Sequence, residues 1–492
     1  MTIRMYGRWE KPRSAGFFGL TWGVSMFGLG LIIAIMVLFM ASPPMPVLGT
    51  AIVTAALVFT PMAVTYRGRT GWELALLYGQ YVLAAATGET LYRAGRFSRL
   101  PGRAKLPGLL ADSRLCEYET PGGRQFAMLH IRRTDHYAVV LRVMPRGQEL
   151  VDQSTIDAWV EEYGQMLAAQ SRSGDVVAIT SVLESVVETR LRPQREVAAL
   201  VRDDAPDYAR HVMAEAVTDT GGPGVRVEAR IAITYRPMGR GRIRRDEAEQ
   251  AREIGRRLQT VVTQLARAGL PARPMRAWEV MALVRSRYDL ASQRDVETAA
   301  ESITETQGWD SVGPIAHDDL WDHYRHDGGC SITWEMDEAP RGAVNERVLE
   351  ELIRPRLDVA RKRVAIVYRL HSAAEATTLV DNDFRDAVAA EQTERGIASA
   401  SARIRVTNTA ASREEQARGA GLTRFGALIT VTDRLDADLP GIEATVAGMS
   451  AASRLGVRRC YAAQAASFAA SLGVGIVLPE HASTPRRRRI GI

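Results

Sequence analysis

The sequence predicts a membrane-anchored α+β protein, in which an N-terminal two-helix transmembrane hairpin precedes cytoplasmic ferredoxin-like α/β layers with a helical insertion. Two long apolar runs near the N-terminus predict the hairpin. After Pro107, strand patterns alternate with helix patterns, as is typical of an α+β body. Residues 375–418 have helical character but few large apolar side chains, so we expect a projecting helical hairpin.

The hairpin is predicted within residues 1–66. Residues 15–41 carry no charged side chain and exceed the roughly 20 apolar residues that cross a bilayer. A second apolar run covers residues 45–66, after a short uncharged turn rich in proline. Basic residues precede the first run and follow the second, so the positive-inside rule places both termini in the cytoplasm. We therefore expect a multi-pass protein of the cytoplasmic (inner) membrane.

Small residues predict how these helices pack. Gly19 and Gly23 form a small-xxx-small pair, which lets helix backbones approach closely in lipid. The pair is compatible with packing against the second helix of the hairpin or against another membrane protein. Pro61 removes a backbone donor, so we expect it to kink the second helix.

Residues 67–106 predict an interfacial amphipathic helix followed by a basic linker. Residues 71–93 mix aromatic and aliphatic side chains with a few polar ones, a pattern typical of helices at the membrane surface. Several arginines and Lys105 follow. These basic residues are consistent either with contacts to anionic lipid headgroups or with an ordinary solvated linker.

The remaining chain predicts two α+β units, residues 107–270 and 271–480, and a basic tail, residues 481–492. The stretches "RQFAMLHIR" and "HYAVVLRVM" have the composition of paired strands. Residues 245–268 form the clearest helix pattern, with apolar side chains recurring every three or four positions and a glycine at the end. No sequence repeat is evident, which leaves open whether the second unit repeats the first structurally.

Motifs for catalysis are not recognisable, so we predict that the protein is not an enzyme and uses no cofactor. The chain has three lysines, Lys11, Lys105 and Lys362, and none stands in the Gly-x-x-x-x-Gly-Lys-Ser/Thr motif of a P-loop. Gly473 and Gly475 follow an apolar stretch but lack the rest of that motif. Three widely spaced cysteines argue against a disulfide framework and favour a reducing compartment.

The densest polar cluster covers residues 317–330 and contains His317, His323 and His326. Histidine, aspartate and cysteine in one short stretch are candidate metal ligands, although their spacing matches no standard zinc pattern. The alternative is a short helix with a polar face that buries its apolar residues. We predict no metal site and keep the three histidines as the candidates to examine.

Arginines end the chain at Arg486, Arg487, Arg488 and Arg489. Four adjacent positive charges can contact lipid headgroups, an acidic protein surface or nucleic acid. A disordered solvated tail explains them equally simply. The sequence alone leaves these alternatives open.

Several stretches resemble a family of actinobacterial membrane proteins found with conjugative and type IV secretion-like gene sets. They are "MYGRWEKPRSAGFFGL", "KLPGLLADSRL", "RHDGGCSITWEMDEAPRGAV", "ARGAGLTRFGALITVT" and "QAASFAASLGVG". In that family the hairpin resembles the small inner-membrane subunit of type IV secretion systems. The body resembles the N-terminal, non-motor part of the secretion ATPase.

The resemblance implies a non-catalytic inner-membrane scaffold or adaptor of a DNA or protein transfer machine. Its partners are then other secretion-machine membrane subunits and a separately encoded P-loop ATPase, in an oligomeric complex. No binding residue can be carried over. The alternative is a type VII secretion subunit resembling the E component, which also has two N-terminal spans. A metal protein using the histidine cluster and a protein that binds DNA directly are two further hypotheses.

Overall fold

The computed structural model describes residues 65–66, 69–95, 98 and 105–482, together with isolated positions between 5 and 37. Within 105–482 it leaves out 148–149, 188–190, 203, 220–223, 238–245, 300–307, 341, 394–399 and 420.

The predicted membrane anchor and the inner-membrane localisation are contradicted. No helix in the described part of the chain is long and apolar enough to cross a membrane. The apolar helix Gly71–Thr87 has 17 residues, and longer helices such as Gln153–Ser173 carry several charged side chains. Of the predicted spans 15–41 and 45–66, nearly all residues lie outside the described part.

Fifteen strands are defined in the described residues. They are β1 Thr65–Tyr66, β2 Arg69–Thr70, β3 Leu91–Arg93, β4 Ser113–Glu119, β5 Gln125–Ile131, β6 His136–Val143, β7 Val176–Val187, β8 Val225–Tyr235, β9 Ala272–Pro274, β10 Ala316–Asp319, β11 Tyr324–His326, β12 Gly329–Glu338, β13 Arg361–Leu370, β14 Thr423–Arg434 and β15 Gly456–Arg459.

Twelve α-helices are defined in the described residues from 65 onward. They are α1 Gly71–Thr87, α2 Gln153–Ser173, α3 Leu191–Leu200, α4 Asp207–Asp219, α5 Glu247–Arg267, α6 Ala277–Tyr288, α7 Ser292–Ala299, α8 Glu350–Ile353, α9 Ala373–Thr393, α10 Ala400–Ala417, α11 Leu439–Ala452 and α12 Gln464–Ser471.

Thirteen of the strands form one sheet, in which every described pairing is antiparallel. Its main path runs β3-β10-β11-β12-β14-β13-β7-β8-β6-β5-β4, while β15 pairs with β12 and β9 pairs with β6. The predicted fold class is therefore wrong in its architecture. Strands from both predicted α+β units join the same sheet, so the described body is built on one continuous sheet.

The sheet contains the same β-α-β-β-α-β connectivity twice. In the first unit, residues 136–274, the strand order is β9-β6-β8-β7, with α2 and α5 as the connecting helices. In the second, residues 329–459, it is β15-β12-β14-β13, with α8 and α11 in the equivalent places. Each unit also inserts a helix pair between its second and third strands, α3–α4 in the first and α9–α10 in the second. The units meet where β7 pairs with β13.

Side chains alternate between the two faces of this sheet. One face packs against α2, α5 and α11 through residues such as Ile179, Ile231 and Ile429. The other face packs against α6 and α12 through residues such as Val182 and Ala365. Both faces are covered near the β7–β13 junction, so a charged side chain pointing from these central strands is buried in the interior.

Candidate functional site

A carboxylate lies at the junction of the two units. Glu184 of β7 is 0 % exposed and pairs in register with Arg363 of β13 and Glu228 of β8. Because residues in register share a face, these side chains point together toward α6 and α12. A charged residue in such a position needs partners, since an isolated buried charge is very costly.

Four arginines surround Glu184. Arg230 Nη1 lies 2.8 Å from its Oε2, and Arg287 Nε lies 3.0 Å from the same atom. Arg363 Nη2 lies 3.2 Å from Oε1, and Arg361 Nε lies 3.5 Å from it. The arginines come from β8, α6 and β13, so a single carboxylate connects both units and one covering helix.

The other nitrogen atoms of these guanidinium groups donate hydrogen bonds to the elements that cover the sheet. Arg230 Nε donates to the carbonyl of Leu472 at 2.7 Å, and Arg363 Nη1 donates to Ser471 Oγ at 3.0 Å. Arg361 donates to the Ser286 carbonyl at 2.5 Å and to Gln293 Oε1 at 2.8 Å. The cluster therefore holds α6, α7 and the chain after α12 against the sheet.

The cluster carries more positive than negative charge. Its four arginines face Glu184 and Glu228, the latter paired with Arg287 and Arg226. Burial by itself raises the pKa of Glu184, but Arg287 and the other arginines hold it well below its usual range. Burial and the like charge of Arg287 lower the pKa of Arg361 to about 9. The four arginines thus exceed the two glutamates by a formal charge of two.

A cavity of about 660 Å³ adjoins this cluster. β8 and the end of β6 form one wall, and α6, α7 and Arg195 of α3 form another. Arg230 and Arg287, which also contact Glu184, lie at 3 % and 4 % exposure and line it. The cavity therefore reaches the edge of the buried cluster.

Gly473 and Gly475 lie where the backbone after α12 crosses the sheet. Their φ angles are +68° and +97°, a region that favours glycine. A Cβ on Gly475 would lie 2.1 Å from Ala138 Cβ, and one on Gly473 would lie 2.4 Å from Val182 Cγ2. The Gly-x-Gly pattern thus reflects close backbone packing and left-handed backbone geometry.

The predicted histidine cluster is a strand hairpin, not a short helix. β10 pairs with β11, and His317 lies opposite His326 in the register. His317 stacks on Tyr92 with ring centroids 5.1 Å apart, whereas His323 Nδ1 contacts Asp322 Oδ1 at 2.8 Å. Side chains of β10 and β11 alternate between the two faces of the sheet, so they do not form the polar face of a helix that the sequence pattern indicated.

Both ring nitrogens of His326 have hydrogen-bond partners within the protein. Its Nδ1 lies 2.5 Å from the Tyr288 carbonyl and its Nε2 lies 2.7 Å from Ser331 Oγ. Burial lowers the pKa of His326 to about 3 and that of His317 to about 4, so both are neutral at pH 7. In the described part of the chain, no group of three or more His, Cys, Asp or Glu side chains could hold a metal ion.

α1 is a helix with apolar residues on all sides. A capping box between Thr70 and Glu73 begins it, and Gly88 in the left-handed conformation ends it. Tyr78 and Tyr81 contact Trp321 edge-on at 5.5 and 5.6 Å between ring centroids. None of its residues is buried, and four large apolar side chains are exposed: Leu76 61 %, Tyr78 57 %, Val82 46 % and Leu83 67 %.

The other predicted site residues fall outside the described part of the chain. These are the packing residues Gly19, Gly23 and Pro61, and the terminal arginines Arg486, Arg487, Arg488 and Arg489.

A family profile matches the N-terminal part of the chain. The profile, of a family described as Domain of unknown function (DUF8461), covers residues 13–73. Comparison with curated proteins gives no match. The matched segment includes the beginning of α1.

The Glu184 cluster is not among the sites predicted from the sequence. The signal was nevertheless present, because "SVLESVV", "VEARIAITY" and "RKRVAIVYRL" place charged residues inside otherwise apolar strand patterns. A charge in such a position predicts a buried ion pair or an edge strand. Which charges meet depends on strand order, and no local pattern gives that order.

Proposed function

We propose that this protein is a scaffold or adaptor subunit of a conjugative, type IV secretion-like machine for DNA or protein transfer, which docks a separately encoded P-loop ATPase. The observation that carries the proposal is the exposed apolar surface of α1. A helix that is apolar all round is ordinarily buried, yet α1 buries none of its residues within the described part of this chain. The helix therefore has the composition of an element that a partner covers.

The geometry of α1 supports a protein partner. Leu74, Leu77 and Tyr81 are partly covered by the chain, and they recur at helical spacing. Leu76 and Leu83 lie two turns apart on the more exposed side. An exposed apolar helix surface of this kind is suited to a groove on another protein. The resemblance of the body to the non-motor part of a secretion ATPase suggests a motor subunit as that partner.

The anchoring of α1 also supports a docking role. Arg69 just before the helix pairs with Glu335 of β12 at 2.9 Å, which connects it to the large sheet. Trp321 supports the same region through its contacts with two tyrosines of α1. A helix held at both its start and its middle loses little conformational freedom on binding.

Affinity purification of the full chain tests this function. The cells used carry the genes of the proposed type IV secretion-like machine, here called the transfer genes. We expect a P-loop ATPase to co-purify with the wild-type chain and to be lost when Leu76→Glu and Leu83→Glu are combined. Leu357→Glu, at a position that is 65 % exposed, places one such glutamate elsewhere and should leave recovery unchanged. Recovery of the wild-type chain without an ATPase would contradict the proposal.

A further inference from the structure

The cavity beside the Glu184 cluster has a strongly positive lining. Five arginines line it: Arg142, Arg195, Arg226, Arg230 and Arg287. Two carboxylates, Glu228 and Glu279, face them. The formal charge of the lining is therefore +3, and behind it lie one carboxylate, Glu184, and two further arginines.

Donors in this lining lack acceptors. Arg230 is 3 % exposed, and although its Nε and Nη1 donate to Leu472 and Glu184, its Nη2 has no hydrogen-bond partner. The indole Nε1 of Trp278 is likewise buried without a partner among the described residues. An unsatisfied buried donor is costly, and charged groups cost more than neutral ones. Both residues line the cavity, so the incompletely paired charge of Arg230 adds to the positive potential there.

The dimensions and remaining lining suit a small molecule. A volume of about 660 Å³ lies within the range of small-molecule sites. Met275, Ala282, Leu283 and Val296 give the cavity apolar wall as well as charge. Guanidinium groups match phosphate oxygens in geometry and charge, often with two parallel hydrogen bonds.

We propose that this cavity binds a small molecule that carries phosphate, with Arg142 contacting the phosphate oxygens. The bound anion offsets the excess positive charge of the lining. The cavity is formed by the first unit together with α6 and α7, and it involves none of the α1 residues. It is therefore independent of the docking function.

Arg142 offers the clearest variant for a test. Its side chain is 47 % exposed and lies 3.3 Å from Glu279. Glu279 keeps two hydrogen bonds from Arg273, at 2.7 and 2.8 Å, when Arg142 is replaced. Arg142→Gln should therefore fold normally. Arg418→Gln is the control, because Arg418 is 75 % exposed and pairs with Glu414 in α10.

Thermal unfolding of the purified full chain with inorganic pyrophosphate tests the site, with sodium chloride added to keep the ionic strength constant. We expect a saturable rise in the midpoint temperature, as for any ligand that binds only the folded state. Losing one charged hydrogen bond should raise the apparent Kd in Arg142→Gln by about 10- to 100-fold. Arg418→Gln should match the wild type. An unsaturable response equal to that of chloride, or an unchanged Kd in Arg142→Gln, would overturn the proposal.

Discussion

Gly475 and Gly473 are fixed by two independent constraints, backbone conformation and space. Replacing Gly475 with alanine brings a methyl group into Ala138 and keeps a φ of +97°. Left-handed backbone and overpacking together should lower the free energy of unfolding by about 2–4 kcal/mol. Chemical denaturation of Gly475→Ala checks this value.

Gly164 is the matched control for that substitution. It lies in α2, its backbone is helical, and a Cβ added there would meet no other atom within 4 Å. Gly164→Ala should stabilise the protein by about 0.5–1 kcal/mol because alanine loses less backbone entropy than glycine. Equal effects of the two substitutions would contradict the packing described for Gly475.

His317 gives the protein a dependence on mildly acidic pH. Burial and Arg93 lower its pKa, Asp318 raises it, and the result is about 4 against an ordinary value of 6.5. Between these values the unfolded chain binds a proton that the folded chain does not, so stability falls as pH falls. The contribution of neutral His317 to stability is fully present above pH 6.5.

His317→Phe keeps the ring stacked on Tyr92 and removes the ionisable group. The dependence of unfolding free energy on pH between about 6 and 4.5 should become shallower by about 1 kcal/mol per pH unit. Denaturation at several pH values, with pH 8 as the reference, measures this slope. An unchanged slope would show that His317 is protonated normally in the folded protein.

Among the elements, the α9–α10 pair is an insertion into an otherwise continuous hairpin. Leu370 pairs with Thr423, and the His371 amide donates to the Leu422 carbonyl at 3.2 Å. The strand ends are therefore close enough to be joined directly. A two-residue Asn-Gly turn has the backbone twist that antiparallel strands require.

Replacing residues 372–421 with Asn-Gly should leave the sheet intact. The helices contact each other, as in the pair between Arg413 and Asp381 at 2.8 Å, and the β13–β14 register is formed by strand residues alone, so we expect it to persist without them. We expect a single cooperative unfolding transition by circular dichroism. Loss of cooperativity or insolubility would show that the insertion supports the core.

The sequence predicted some elements well and others poorly, for physical reasons. The α5 pattern was clear because Ile254, Leu258 and Leu265 repeat on one face and are buried. The hairpin at 316–326 resembled a helix because short strands with aromatic and charged residues lack a clean alternation. The sheet order depends on contacts distant in sequence, so the Glu184 cluster could not be assembled from local patterns.

At the scale of the whole molecule, the Glu184 cluster joins the two units. Glu184→Gln removes the carboxylate that four arginines share and leaves them with their mutual repulsion. Breaking one partner of a buried charge network costs about 3–5 kcal/mol. Chemical denaturation should show this loss in one transition, whereas Glu119→Gln at the end of β4 should change stability by less than about 0.5 kcal/mol.

The structural repeat explains why the Glu184 cluster contributes to the stability of both units. β7 and β13 occupy equivalent positions in their units, and their pairing makes one sheet from two. The arginines of β13 and the glutamate of β7 lie on the face that α6 and α12 cover.

Cross-linking from α1 tests the docking function most directly. A photoreactive amino acid at position 83 of the full chain, in cells that carry the transfer genes, should yield a cross-linked product containing a P-loop ATPase. The same amino acid at position 357, which has a similar exposure, should yield none. A cross-link to the ATPase from position 83 alone agrees with docking through α1. Absence of that product at position 83, or its equal yield at position 357, would contradict it.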